Sequence, residues 1–496
     1  MHQQIELNHN WWYCAKTCKE HLSDYQNILG FEPVTLPHTK KILPYNYLDE
    51  TSYQTVSTYK RIIEVQPDQL NQRAFIEFEG VMLAADVYIN EHYVMSHKGG
   101  YTPFCAEITS GLQAGKNVLT VIVDSTERND IPPFGKVVDY LAYGGMYREV
   151  SLKWKEQCYI KDVFVSCNNP MDSLKEITVS IQLNNISANT KYELEIEISK
   201  QGNTLYRHQE SMELPQGDNT KEILLHSVPG LKNWDLDDPA LYDITVHLFD
   251  QAEIDSYSVK TGFRKAEFTP DGFYLNDKKI NLRGLNRHQA FPHVGYAVSK
   301  RAQYKDADIL KYELGLNLVR TSHYPQSRHF HDRCDEIGLL VFEEIPGWQY
   351  IGDEEWKQNA IHSVEEMIVR DRNRPSVILW GVRINESMDD HDFYVRTNEL
   401  ARKVDPTRQT GGVRWIEHSE LLEDVYTIND FIYKGDNEYI RDPKRVTGTS
   451  DFVPYLITEF GGHMYPTKRY DQEERLVEHA LWHARIQNQA ALDEHI

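Results

Sequence analysis

The chain has 496 residues, 40% of them apolar and 26% charged, which is enough for two to four domains with proper cores. Its formal charge of −22 argues against nucleic acid or an anionic membrane surface as a partner, because binding there needs basic patches that displace counterions. A neutral ligand such as a sugar is untouched by that argument. The start, from Met1 to Trp12, has no basic cluster and no apolar run of signal-peptide length, and no later segment approaches a membrane span, so a cytoplasmic location is expected. Six cysteines, at positions 14, 18, 105, 158, 167 and 334, are too sparse for a disulfide framework and lack paired zinc spacing. No cofactor or metal is called for, and a homo-oligomer is compatible with the composition.

Residues 1–152 read as short strands separated by turns, rich in aromatics and without long helical periodicity, with the sandwich expected to begin near Asp24. Ala74, Ile76 and Phe78 alternate with Phe75, Glu77 and Glu79, and further strands fall at Asp86 to Ile89 and Asn117 to Asp124. Residues 153–265 form a second β segment, with the alternating sets Ile177, Val179, Ile181, Leu183 and Leu194, Ile196, Ile198 before a Gly202-Asn203 turn. Even strands over such a length predict an immunoglobulin-like sandwich without clustered chemistry.

From residue 266 to 496 the rhythm becomes strand, helix, strand. Strands are expected at Asn281 to Gly284, Asn317 to Thr321, Leu339 to Phe342, Val377 to Trp380, Gln409 to Val413, Val425 to Ile428 and Tyr455 to Thr458. Helices fall between them, one from Ser299 to Gly315, one carrying Ile361, Val364 and Ile368, one carrying Phe393, Leu400 and Val404, and a last one from Glu473 to about Ala491. The repeat implies parallel strands with right-handed crossovers, most simply a (β/α)8 TIM barrel that lacks its last strand and helix.

Each strand end in this third segment carries polar residues. Asn286, Arg287 and His288 follow the first; Arg320, His323 and Tyr324 the second; Glu343, Glu344 and Trp348 the third; Asn385 and Glu386 the fourth; Arg414 and Trp415 the fifth; Asn429 and Asp430 the sixth; Glu459 and His463 the seventh. Polar groups gathered at one rim with tryptophan walls suit a sugar, whose hydroxyls need hydrogen bonds and whose C–H faces stack on aromatics. Carboxylates on the fourth and seventh strands can face each other across the mouth. Glycosidic hydrolysis uses such a pair, one acid protonating the leaving oxygen and the other attacking the anomeric carbon or activating water.

Motifs in the same order carry a resemblance. Leu36-Pro37-His38, Phe78-Glu79-Gly80-Val81, Ala85 to Asn90, Gly99 to Phe104 and Gly144 to Val150 resemble the sugar-binding, jelly-roll sandwich of glycoside hydrolase family 2. Gly284 to His288, Val319 to Pro325, Cys334 to Leu339, Pro375 to Trp380, Asn385-Glu386 and Thr458 to Gly461 resemble its barrel motifs. The resemblance implies a retaining, exo-acting β-glycosidase, foremost a β-galactosidase, with Glu386 as general acid and base and Glu459 as nucleophile. It also implies that Asn385 holds the sugar 2-hydroxyl, that Arg320 orients Glu459 and keeps it ionised, and that His288 and His323 line the sugar site. Trp348, Trp415 and Asn429 are further candidate substrate contacts.

The chain departs from that family at two places. Phe431 stands where an aromatic hydroxyl often contacts the nucleophile, leaving Tyr433 as a substitute, and Glu343-Glu344-Ile345-Pro346-Gly347-Trp348-Gln349 lacks the histidine of a magnesium site known in large β-galactosidases. The acidic run Asp389-Asp390-His391-Asp392 sits at a helix start, where it suits the dipole. Two other readings stand beside the first: a β-glucuronidase, for which Arg414 or a part of the barrel missing from this sequence would supply the cation for the sugar carboxylate, and a non-catalytic carbohydrate-binding fragment.

Overall fold

A computed structural model of the chain describes residues 4–39, 54–136, 138–431, 440–460, 468 and 470–493. The first sandwich pairs a four-stranded sheet, ordered Gln4–Glu6, Val150–Lys155, Arg73–Phe78 and Phe104–Glu107, with a six-stranded one that includes Trp11–Cys14, Val56–Val65 and Gly115–Asp124. It begins before Asp24, because Ile5 of the first strand packs against its core and Trp11 of the second is fully buried in it with Ala74, Ile76 and Phe78. The second sandwich stacks a three-stranded on a four-stranded antiparallel sheet, its core made of the inward sets Ile177 to Leu183 and Leu194 to Ile198. The hairpin Lys191–Lys200 to Asn203–Glu213 turns on Gln201 and Gly202, both at positive φ (51° and 78°), as a tight right-twisted hairpin requires.

A short meander, Ala266–Thr269, Gly272–Leu275 and Lys278–Ile280, then lies under the third domain, where Phe268, Phe273 and Leu275 pack on Leu318, Leu340, Leu379 and Val413 and close the base of the barrel. The parallel strands are Gly284–Asn286, Leu318–Thr321, Leu340–Glu344, Val377–Gly381, Gln409–Gly411 with Val413–Arg414, Tyr426–Asn429 and Tyr455–Glu459. The first begins at Gly284 rather than Asn281, because the meander ends at Ile280 and residues 281–283 form the link between them, with Asn317 Nδ2 holding the Asn281 carbonyl at 2.8 Å. The fifth is broken at Gly412, where Arg383 crosses so closely that a Cβ would lie 2.1 Å from the arginine Cβ. Its first half pairs with the fourth strand and its second half with the sixth, so the sheet continues across the break.

Helix Arg328–Ile337, absent from the sequence expectation, is capped by the Ser327 hydroxyl and ends on left-handed Gly338 (φ 72°). The helix from Ser299 splits into Lys300–Asp308 and a wider-pitched Ile309–Glu313. Glu354–Asp371 and His391–Val404 start on the side chains of Asp353 and Asp390. Among the described residues the first and seventh strands are not paired with each other, so seven strands form an arc with room for an eighth. None of the described helices is long and apolar enough to cross a membrane.

The domains are locked together. Arg264 of the second sandwich donates to the Pro375 carbonyl at 2.6 Å at the foot of the fourth barrel strand, and Trp234 Nε1 donates to the Asp335 carbonyl at 2.8 Å. From the first sandwich, Arg148 donates to the Pro325 carbonyl at 2.8 Å, and the Phe134 carbonyl accepts from Trp356 Nε1 at 2.9 Å. The rings of Tyr101 and Tyr324 stack across this interface with centroids 4.4 Å apart.

Candidate active site

Strand alternation sets the site. Leu318, Leu340 and Phe342 point into the barrel core, so Arg320 and Glu344, two residues further along their strands, point into its mouth. Arg320 is nearly fully buried and forms the hub. Its Nε and NH2 groups grip both oxygens of Glu344, one of them at 2.9 Å, while NH1 donates to Glu459 Oε1 at 2.6 Å. NH2 also reaches Asn385 Oδ1 at 2.9 Å and His323 Nδ1 at 2.9 Å. Burial alone would lower the guanidinium pKa, but Glu344 and Glu459 outweigh it and hold it above its usual value. Burial in turn pushes the Glu344 carboxyl up, with Arg320 pulling against it.

The two carboxylates singled out in the sequence lie on either side of Asn429. Asn429 Nδ2 donates to Glu386 Oε1 at 2.8 Å, its Oδ1 accepts from Thr458 at 3.0 Å, and it stands in register beside Glu459. Gln349 Nε2 donates to the other Glu386 oxygen at 3.2 Å. Glu386 itself is held at φ 54°, a left-handed conformation that an L side chain adopts at a cost of about 1–2 kcal/mol. The Glu386 amide donates to the Val413 carbonyl at 2.9 Å, tying the residue to the far half of the broken fifth strand.

His323 and His288 border this hub. His323 Nε2 is 3.9 Å from Glu459 Oε1 and 3.4 Å from Asn385 Nδ2, and His288 Nδ1 is 3.1 Å from the Tyr324 hydroxyl. Burial first, then the nearby positive charges, drives both imidazoles down to about 3, so they are neutral near pH 7. Trp348 is half-buried and joined to Asn385 through a parallel backbone bridge, and Trp415 is 49% exposed beyond the fifth strand.

Several candidates are committed elsewhere. Arg414 does not offer its charge to a ligand: it is fully buried, ion-paired with Glu423 and hydrogen-bonded to Ser419 and two carbonyls. Arg287 is spent on Asp306, Gln303 and Gln326. Glu343 points away from the mouth and pairs with Arg370. In the acidic run, Asp389 is held by Arg383 and Ser419, and Asp390 caps its helix through the Phe393 amide at 3.2 Å. Phe431 is half-buried, while Tyr433 and His463 lie outside the described residues.

Three contributors were not assigned a role from sequence. Glu344 was legible in principle, since Leu340, Phe342 and Glu344 share one face. Gln349 sits in a loop at positive φ (58°) and gives no sequence signal. Tyr140 comes from the first sandwich, its ring 5.4 Å from His288, 5.8 Å from His323 and 5.1 Å from Tyr324.

Two sandwiches braced against a parallel barrel, with a buried arginine joining a strand-end glutamate to an asparagine–glutamate pair, define the class of multidomain glycoside hydrolases. Residues 2–156 match the family described as "Glycosyl hydrolases family 2, sugar binding domain", residues 158–264 "Glycosyl hydrolases family 2", and residues 267–487 "Glycosyl hydrolases family 2, TIM barrel domain". The chain belongs to glycosyl hydrolase family 2. It is 50% identical to a β-galactosidase of Thermoanaerobacterium thermosulfurigenes across 100% of its own length and 70% of that protein. It is 46% identical to a β-galactosidase of Thermoanaerobacter pseudethanolicus, over 98% of this chain and 64% of the relative. Among solved structures, a putative β-galactosidase from Bacteroides fragilis superimposes with a TM-score of 0.82 at 27% identity, covering 95% of this chain and 74% of that one. A Bacteroides uniformis β-glucuronidase shares the fold with a TM-score of 0.80 at 23% identity, covering 88% of this chain and 56% of that one. The chain thus spans about two thirds of the length of these two β-galactosidases, and less of other curated relatives it matches.

Proposed function

We propose that the chain carries the catalytic centre of a retaining, exo-acting β-glycosidase, and that its substrates are terminal β-galactosides. The observation that carries this reading is the Arg320 hub, which presents Glu459 from the seventh strand while Asn429 holds Glu386 from the fourth. In the first step the Glu459 carboxylate attacks the anomeric carbon while Glu386 gives its proton to the glycosidic oxygen, so that the aglycone leaves and a glycosyl ester forms. In the second step Glu386 takes a proton from water, the water oxygen attacks the same carbon, and Glu459 is released as carboxylate. Asn385, oriented through its Oδ1 by Arg320, has its Nδ2 available for the sugar 2-hydroxyl. The neutral His323 and His288 suit hydrogen bonding to an uncharged sugar, and Trp348 and Trp415 supply apolar faces for its C–H side.

The sugar assignment rests on the two β-galactosidase relatives. It is supported by the commitment of Arg414 to Glu423, which removes the cation that a glucuronide carboxylate would need there. The cysteines are all free thiols, which suits a reducing cytoplasm. The partner is a carbohydrate alone or with further copies of the chain, and neither nucleic acid nor a membrane is involved.

A panel of chromogenic β-glycosides, run with the chain and with Glu459→Gln, tests the reading. Turnover of the β-galactoside that falls by three or more orders of magnitude in the variant is expected. Unchanged turnover in the variant would remove Glu459 from the nucleophile role, preference for the glucuronide would reassign the sugar, and turnover of nothing would leave a carbohydrate-binding fragment.

A further inference from the structure

Among the described residues away from the active site, three groups of side chains bring metal-ligating atoms together: His97, His362 and Glu366; Glu195, Glu197 and His247; and His331, Glu343 and Asp371. The second lies on an outer sheet face where Arg207 and Thr204 already hold Glu197. The third is sealed in the barrel wall, with Arg370 on Glu343 and both Arg370 and Arg374 on Asp371, so a cation there would meet two guanidinium groups. Among the described residues no Lys or Arg side chain pairs with the first. His97 comes from strand His92–Lys98 of the first sandwich, and His362 and Glu366 stand one turn apart on barrel helix Glu354–Asp371.

We propose that His97, His362 and Glu366 form a site for a zinc-class divalent cation that fastens the first sandwich to the barrel. Both histidines aim the same atom at one carboxylate oxygen, His97 Nε2 at 2.9 Å and His362 Nε2 at 2.9 Å from Glu366 Oε1. Ligands about 2.0–2.1 Å from a tetrahedral zinc stand roughly 3.3 Å apart, so the two histidine–carboxylate edges need open by only a few tenths of an ångström, and all three ligand atoms already lie within 4.8 Å of one another. Two imidazoles and one carboxylate are a donor set for zinc rather than for calcium or magnesium, which require oxygen.

The ligands are also held in place. Thr102 Oγ1 donates to the other Glu366 oxygen at 2.5 Å, leaving Oε1 for the metal, and the His97 ring stacks on Phe104 at 4.3 Å with the planes 13° apart. His362 is half exposed, which gives the ion an entry path and leaves the fourth position to water. On binding, each Nε2 gives its lone pair to the metal and the ring proton resides on Nδ1; a charged His362 releases one proton to solvent. His97 Nδ1 is buried and has no hydrogen-bond partner among the described residues. A missing outer partner weakens a metal site by about 10–100-fold, so micromolar rather than nanomolar affinity is expected.

The full chain, stripped with a chelator, would be titrated with zinc chloride against a chromophoric zinc indicator, beside His362→Ala and Glu366→Gln. The wild type should bind one equivalent more than either variant, or bind that equivalent at least tenfold more tightly, and saturating zinc should raise its melting temperature but not theirs. Surface histidines, such as the His479–His483 pair with Nε2 atoms 3.1 Å apart, contribute equally to all three proteins and cancel. Equal stoichiometry and affinity in wild type and His362→Ala, or no zinc-dependent stabilisation of the wild type, would overturn the proposal.

Discussion

Replacing Arg320 with methionine keeps most of the volume of the hub and removes its charge. Glu344 is then left fully buried with its bidentate partner gone, and Glu459 loses the 2.6 Å contact to NH1. At an effective dielectric of about 20, one unit charge 2.9 Å from another is worth roughly 6 kcal/mol before desolvation. Releasing the buried guanidinium recovers part of that, so the net loss expected is about 3–5 kcal/mol, the range for breaking a buried pair by removing one partner.

The loss should depend on pH in a fixed direction. Burial already raises the Glu344 carboxyl with Arg320 present. Without Arg320 its folded pKa rises further above the unfolded value, so the folded state holds a proton that the unfolded state has released, and stability falls as pH increases. The deficit of Arg320→Met relative to wild type should therefore be smallest at acid pH, near the unfolded carboxyl range, and grow as pH rises, each tenfold gain in the proton affinity of Glu344 counting about 1.4 kcal/mol. Urea unfolding of the barrel, followed by tryptophan fluorescence at several pH values, reads this directly. The double variant Arg320→Met with Glu344→Gln should recover at least half of the loss at pH 8 while remaining inactive. A deficit that does not change with pH, or a double variant no better than the single, would refute the assignment of Glu344 as a buried charge that depends on Arg320.

Three further outcomes follow from the same geometry. Glu386→Ala should lower kcat on substrates with poor leaving groups by about 10²–10⁴-fold, and sodium azide should restore turnover with formation of a β-glycosyl azide, because a small anion needs no base to attack the glycosyl ester; absence of the azide product would remove Glu386 from the acid–base role. His329, between Glu149 at 3.1 Å and Asp332 at 3.8 Å, is lowered by burial but raised on balance to about 9 by these carboxylates. Its contribution is fully present below about pH 6.5 and is lost as pH rises through about 9, so His329→Gln should melt lower than wild type at pH 6 and at the same temperature at pH 10. Gly338→Ala should cost about 1–3 kcal/mol by thermal melting, since the residue is left-handed and its Cβ would lie 2.3 Å from the Leu236 carbonyl oxygen of the second sandwich.

The order of the domains and the elements that carry the chemistry were readable because they depend on local pattern. Alternation of apolar residues marked the sandwich strands, and buried runs ending in polar residues marked the barrel strands. Even the acidic run at Asp389 to Asp392 was placed at a helix start from its fit to the helix dipole, and the structure adds Asp390 as the cap. The parts that sequence left unread are those in which distant segments share one environment. Nothing around residue 412 announces that Arg383 crosses there and breaks the fifth strand, and nothing in the loop that bears Tyr140 announces that its ring closes against His288 and His323.

Strand-end arginines make the point most sharply. Arg320 and Arg414 occupy equivalent places in the sequence pattern, and both suit a ligand carboxylate. One is joined to Glu344 and Glu459 in the mouth of the barrel, and the other is consumed by Glu423 from its own following loop. Sequence by itself determined which residue types stand at which strand ends, because a period of two residues sets the faces of a strand. Only the tertiary structure decided which charges meet, because the partners of a buried ion are chosen by packing between distant segments, Arg320 and Glu459 standing 139 residues apart, and no local pattern encodes that distance.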